Sequence, residues 1–224
     1  MKTFFSRSPF IVISAIALLG VNHSFGEIVT FSFAGQVTYI GNPLGVVVPA
    51  LIHLGSPVQA SIRYDTATPD SPLYIDDPTW GSFVGPGAVK VNINGLKFEQ
   101  DNTIQVDILH GANGGQELFQ AGGYRNPTAW PSELPVLTNP TIFMAFWETG
   151  PPRDLLANAE LPTLMDFSRA DITHAFVRSS SAQSGYEIQF SLVQVPEPTS
   201  AGLLAIGLLC FLPHFTKKSK HRAS

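Results

Sequence analysis

Four aspartates, Asp65, Asp70, Asp76 and Asp77, crowd one Pro- and Ser-rich stretch of the chain. Loop carboxylates are what Ca²⁺ takes as ligands, but the Asp-x-Asp-x-Asp-Gly spacing of a dedicated calcium loop is absent. Asp, Ser and Pro are also ordinary turn formers, and a turn is what this stretch predicts. Three histidines outside the chain ends, His53, His110 and His174, are far apart and form neither His-x-His nor His-Glu-x-x-His. Their spacing predicts surface or half-buried side chains, with no metal centre and no cofactor. The run His110-Gly111-Ala112-Asn113-Gly114-Gly115 resembles a lipase oxyanion loop. A nucleophile elbow to accompany it is missing, because Gly81-Ser82-Phe83-Val84-Gly85 carries its serine one place early for Gly-x-Ser-x-Gly. A Gly-Asn turn is the expectation, and no residue is assigned a catalytic role.

Trp80 and Trp130 sit in Pro- and Gly-rich segments, where binding aromatics often occur, and on one exposed face they would stack on sugar rings. They are the candidate glycan-binding residues. Trp147 ends an apolar run and is expected in the core. Asp107 and Glu148 are carboxylates that a hydrolase could use if the fold set them across a glycosidic bond, though no motif links them.

Between residues 27 and 195 there are seven Lys or Arg against sixteen Asp or Glu, a net charge of −9. So acidic a body repels a phosphate backbone, which argues against nucleic acid as a partner. The single cysteine, Cys210, lies in an apolar run near the end of the chain, so residues 27–195 contain no disulfide, no thiol nucleophile and no Cys-based zinc site. Packing must supply the stability.

The elements that would position these residues are strands. The 19 glycines and 18 prolines break the chain too often for long helices. Apolar alternation marks Phe31, Phe33, Val37 and Tyr39, then Val58, Ala60, Ile62 and Tyr64. Val89, Val91 and Ile93 run into Asn94-Gly95, after which Leu96 and Phe98 resume: a hairpin, since Asn-Gly adopts the positive φ of a type I′ turn. Further strands are expected at 104–108, 118–121, 142–147, 172–177 and 186–192. Short helices are plausible only at 154–159 or 161–167, limited by Pro162. About 170 residues of this pattern predict an all-β, single β-sandwich or jelly-roll-like domain that folds as a monomer without cofactor.

Both ends carry signals of another kind. Lys2 and Arg7 precede an apolar run at 10–21 and the small residues Ser24 and Gly26, the three parts of a secretory signal peptide cleaved between Gly26 and Glu27. At the other end Val195-Pro196-Glu197-Pro198 precedes an uncharged apolar run at 199–215 and the basic residues Lys217, Lys218, Lys220 and Arg222. The prolines hold an extended, accessible segment. The run has 17 residues, the low end for a bilayer span, and the cations after it set the topology with the body outside.

That order of Val-Pro-Glu-Pro, apolar helix and basic cluster resembles the PEP-CTERM sorting signal of exported bacterial proteins. The resemblance implies that an exosortase recognises Pro196, Glu197 and Pro198 and removes the tail, leaving the body at the cell surface or in an extracellular polysaccharide matrix. The expected organisation is a signal peptide at 1–26, an exported domain at 27–194 and a sorting signal at 195–222. The inner membrane would hold the protein transiently before processing. A non-catalytic surface or matrix protein associated with exopolysaccharide is the first functional expectation; a glycan-binding module and a secreted hydrolase are the alternatives.

Overall fold

The structure is a computed structural model that describes residues 26–41, 46–71, 78–111, 116–124, 127–137, 139–150, 155–181 and 185–195. The expected signal peptide, except for Gly26, and the sorting segment from Pro196 onward lie outside the described residues, as do Asp76 and Asp77. Among the described residues no helix is long and apolar enough to cross a membrane.

The body is all-β. Its strands are β1 (Ile28–Gly41), β2 (Pro57–Asp65), β3 (Trp80–Ile93), β4 (Leu96–Gly111), β5 (Gln116–Tyr124), β6 (Thr141–Glu148), β7 (Ile172–Ser180) and β8 (Gly185–Gln194). Each strand pairs antiparallel with the next, and β8 pairs with β1, so the sheet closes on itself as a barrel. This corrects the expected two-sheet sandwich or jelly roll. A sandwich and a barrel both bury one face of every strand, so period-two alternation is the same in either. Closure depends on length and stagger instead. The first half of β1 pairs with β2 from Ile28 to Gln36, and its second half pairs with β8 from Phe33 to Gly41, with a bulge between Val37 and Tyr39. Long, doubly shared strands coil the sheet until its edges meet. At the seam Gly35 admits the close approach of β8, because a Cβ there would collide with the Ser191 carbonyl oxygen.

The Asn94-Gly95 hairpin is present, with φ of 49° and 93° and Ile93 opposite Leu96. The two strands expected on either side of residues 99–103 are one continuous strand, β4. Its polar middle stays paired with β3 through Ala88–Asp101 and Pro86–Thr103, which extended pairing permits without any apolar signal.

Three connections among the described residues fill the ends of the barrel. At the end where β6 stops and β7 starts, Leu155, Leu156, Leu161, Met165 and Phe167 are all buried. Helices expected at 154–159 or 161–167 are not formed in the described part of this segment, which has a single 3₁₀ turn at Phe167–Arg169. Its apolar residues are spaced to enter a barrel mouth, not to line one helix face. The Phe167 ring lies 5.0 Å from those of Phe31 and Phe33, 4.4 Å from Phe146 and 5.6 Å from Phe119. Tyr64 donates its hydroxyl to the Pro162 carbonyl at 2.5 Å. At the opposite end, Ile52 of the β1–β2 connection and Leu134 of the β5–β6 connection are buried.

Phe167 is therefore the central stopper of one mouth. Phe167→Ala is expected to destabilise the body by about 3–5 kcal/mol through the cavity it leaves, measured as a lower urea midpoint. Burial pushes up the pKa of the Tyr64 and Tyr186 phenols, the latter partly offset by a hydrogen bond from Trp130. A phenol whose folded pKa is raised contributes stability in full below its unfolded value of about 10, and loses it as pH rises beyond. Absorbance at 295 nm during alkaline titration should show these two tyrosines ionising together with loss of β circular dichroism, not before it.

Candidate functional site

Strand parity decides which polar side chains meet. His110, Glu117 and Glu148 occupy inward positions on β4, β5 and β6 at the Phe167 end, and the ladder sets His110 opposite Glu117 and Glu117 opposite Glu148. Glu117 is 2 % exposed and Glu148 is 4 % exposed. Each carboxylate holds the mouth segment: Glu148 Oε2 accepts from the Leu155 N–H at 2.8 Å, and Glu117 Oε2 from the Leu156 N–H at 2.6 Å. His110 Nδ1 lies 3.0 Å from Glu117 Oε1, with its ring about one-third exposed. No motif in the sequence marks Glu117. Its signal was positional, since His110 and Glu117 flank the Gly-Asn turn symmetrically and must pair if that turn closes a hairpin. Among the described residues no cluster of three or more His, Cys, Asp or Glu is arranged to hold a metal ion.

Asp107 faces the other way. On the outer wall of β4, and 6 % exposed, it accepts from Ser82 Oγ at 2.6 Å, from Gln105 Nε2 at 2.9 Å and from Gln120 Nε2 at 2.7 Å. Ser82 and Gln120 are its direct cross-strand neighbours. Asp107 and Glu148 thus lie on opposite sides of the barrel wall and cannot flank one glycosidic bond.

The two candidate glycan-binding tryptophans are not brought together. Trp80 opens β3 opposite Leu109, at the Phe167 end. Trp130 belongs to the connection at the other end, where its ring meets Phe98 edge-on at 5.0 Å and its Nε1 donates to the Tyr186 hydroxyl at 2.6 Å. Trp147, expected in the core, points outward and is 39 % exposed, because parity assigns the interior to Phe146 beside it. His53 and His174 are exposed. Asp65 accepts from the Ala67 N–H, and Asp70 from those of Ser71 and Ser82, as turn-forming carboxylates do.

Both ends of the described body come to the Phe167 end. Glu27 donates its N–H to Thr66 Oγ1 at 2.8 Å and accepts from the Thr66 N–H at 3.0 Å, one residue after Gly26. Val195 donates its N–H to the Ser32 carbonyl at 2.8 Å, directly before Pro196. Around that departure point lies a groove of about 790 Å³ between the first residues of β1 and the mouth segment, with Phe31, Met165, Phe167 and Leu192 in its wall. It exists because the β7–β8 ladder stops at Phe190, and Gln194 turns its side-chain oxygen to the Phe167 N–H at 3.3 Å. Lys217, Lys218, Lys220 and Arg222 lie outside the described residues.

The carboxylate anchors give a direct expectation. Glu117→Leu strands the Leu156 N–H without its acceptor and should destabilise the body by about 1–3 kcal/mol, whereas Glu117→Gln keeps an acceptor and should cost less. Urea unfolding reads the difference, and hydrogen exchange at Leu155 and Leu156 should accelerate first in the leucine variant. No protein-family model matches the chain, and neither a curated protein nor a solved structure is found similar to it.

Proposed function

We propose that this protein is an exported cell-surface or matrix component, delivered through an N-terminal signal peptide and a C-terminal PEP-CTERM-type tail, with a non-catalytic barrel as its cargo. One observation carries the reading: the backbone ladder runs to Val195 and the next residue is Pro196. The folded body thus reaches the edge of the processing motif with no linker, so a cut beyond it would remove no rung of the sheet. Pro196 and Pro198 lack the N–H groups needed to extend the ladder. The motif would therefore leave the sheet as an extended segment that an exosortase can reach.

The partners in this reading are the exosortase, the inner membrane before processing and exopolysaccharide afterwards. The acidic body suits a hydrated neutral matrix better than a polyanion. The inward carboxylates Glu117 and Glu148 hold the mouth segment, which gives them a structural task.

Fractionation in an exosortase-bearing host tests the proposal, with one tag on the body and a second after Arg222. The wild type should release the body without the second tag. Glu197→Gln, and separately Pro196→Ala with Pro198→Ala, leave the apolar run and the basic cluster intact, so both should accumulate uncut in the membrane. A wild type that keeps both tags together in the membrane would overturn the sorting reading.

A further inference from the structure

The outer surface at the Phe167 end is unevenly apolar. Trp147 on β6, Ile172 on β7 and Val193 on β8 are exposed outward-facing side chains on three consecutive staves of the barrel, Val193 at 71 %; the exposed Ile28 of β1 stands apart from them, opposite Asp65. Trp147 and Ile172 are direct cross-strand neighbours, and Val193 lies opposite the exposed Ala34. Leu164 of the mouth segment adds an 86 % exposed side chain at the same end. The opposite half of this rim is mixed, with Arg63 and Asp65 on β2 and Gln116 on β5 beside the 56 % exposed Val84 of β3.

The chain leaves beside Val193, at one side of this apolar arc. Val195 is the last laddered residue, and residues 196–198 alone separate it from the uncharged run at 199–215. Three extended residues span about 10 Å. If that run spans a bilayer, as the proposed function has it, the arc is held against the membrane surface at a high effective concentration. The far end also exposes apolar residues, among them Val47, Leu54 and Val136, so exposure by itself does not choose an end. The exit of the chain does.

We infer that this arc, from Trp147 through Ile172 to Val193, is a docking surface for the lipid bilayer that tilts the barrel onto the membrane while the tail is attached. An indole half out of water is at home in the interfacial region, and aliphatic neighbours add area to a shallow contact. The charges nearby fix the lipid chemistry. Hydrogen bonds from Ser168 hold the Asp166 carboxyl below the usual range, and those from Thr149 and Gly150 do the same for Asp171. With Glu27 also exposed and Arg169 the cation beside Asp166, the surface suits zwitterionic headgroups better than anionic ones. Tail removal abolishes the tether and with it the effective concentration, so the same cut that separates the tail also undocks the body.

The test uses the full chain in phosphatidylcholine vesicles with and without brominated acyl chains, which quench only tryptophans that reach them. Alkaline extraction first checks that the chain is membrane-integral. Bromolipid should quench part of the wild-type emission; Trp147→Phe should remove most of that quenched component, and Val193→Asp should reduce it by about half or more. Both substitutions alter exposed side chains, and far-ultraviolet circular dichroism verifies their folding. An integral chain whose quenched component is the same in Trp147→Phe and Val193→Asp as in the wild type overturns the docking alone. A chain stripped from the vesicles by alkali overturns the membrane-spanning reading and the docking with it.

Discussion

The rung between β8 and β1 is the constraint on which the remainder of this molecule depends. An eight-stranded antiparallel sheet with unpaired edges exposes two rows of backbone N–H and C=O groups, and closing it satisfies both at once. That closure requires β1 to serve two partners along one length, which in turn requires a strand of 14 residues, a bulge at Val37–Tyr39 and a residue without a side chain at Gly35. Once the seam is made, the interior volume is set, and the aromatic side chains must fill it. Phe31, Phe33, Phe119 and Phe146 leave a space at one mouth that the chain itself closes by returning Phe167 from the β6–β7 connection.

A connection that enters a barrel brings its backbone with it, and buried N–H groups need acceptors. Glu117 and Glu148 supply these to Leu156 and Leu155. Side-chain acceptors on the wall suit a segment that has no helix or strand of its own to satisfy its backbone. The same logic governs the outer wall, where near-complete burial of Asp107 is matched by donors from Ser82, Gln105 and Gln120. Two carboxylates that sequence reasoning could pair as catalytic groups are thus separated by the wall and engaged in different hydrogen-bonding tasks.

Antiparallel order also fixes where the chain enters and leaves. With eight strands, the first begins and the last ends at the same mouth, so Glu27 and Val195 both lie at the Phe167 end. An even strand number therefore makes one face of the barrel proximal to whatever the termini are attached to and the other face distal. The apolar arc sits on the proximal face beside the departing strand.

Much of the local structure was legible in the residues themselves. Alternation at 58–64 and 186–192 gave β2 and β8, and Asn94-Gly95 gave the β3–β4 hairpin, because side-chain period and turn φ are local properties that each segment carries alone. The turn role of Asp65 and Asp70 was legible for the same reason. Closure into a barrel, the continuity of β4 through residues 99–103, the mouth segment's lack of a helix and the outward face of Trp147 were not. Each depends on a partner strand distant in sequence: whether β8 finds β1, whether β3 keeps pairing past Gly87, whether the barrel leaves room for Phe167, and which of Phe146 and Trp147 the ladder turns inward. Local sequence determined the strands and their alternation, and only the register between strands decided which side chains share a space, since a one-residue shift exchanges inside for outside.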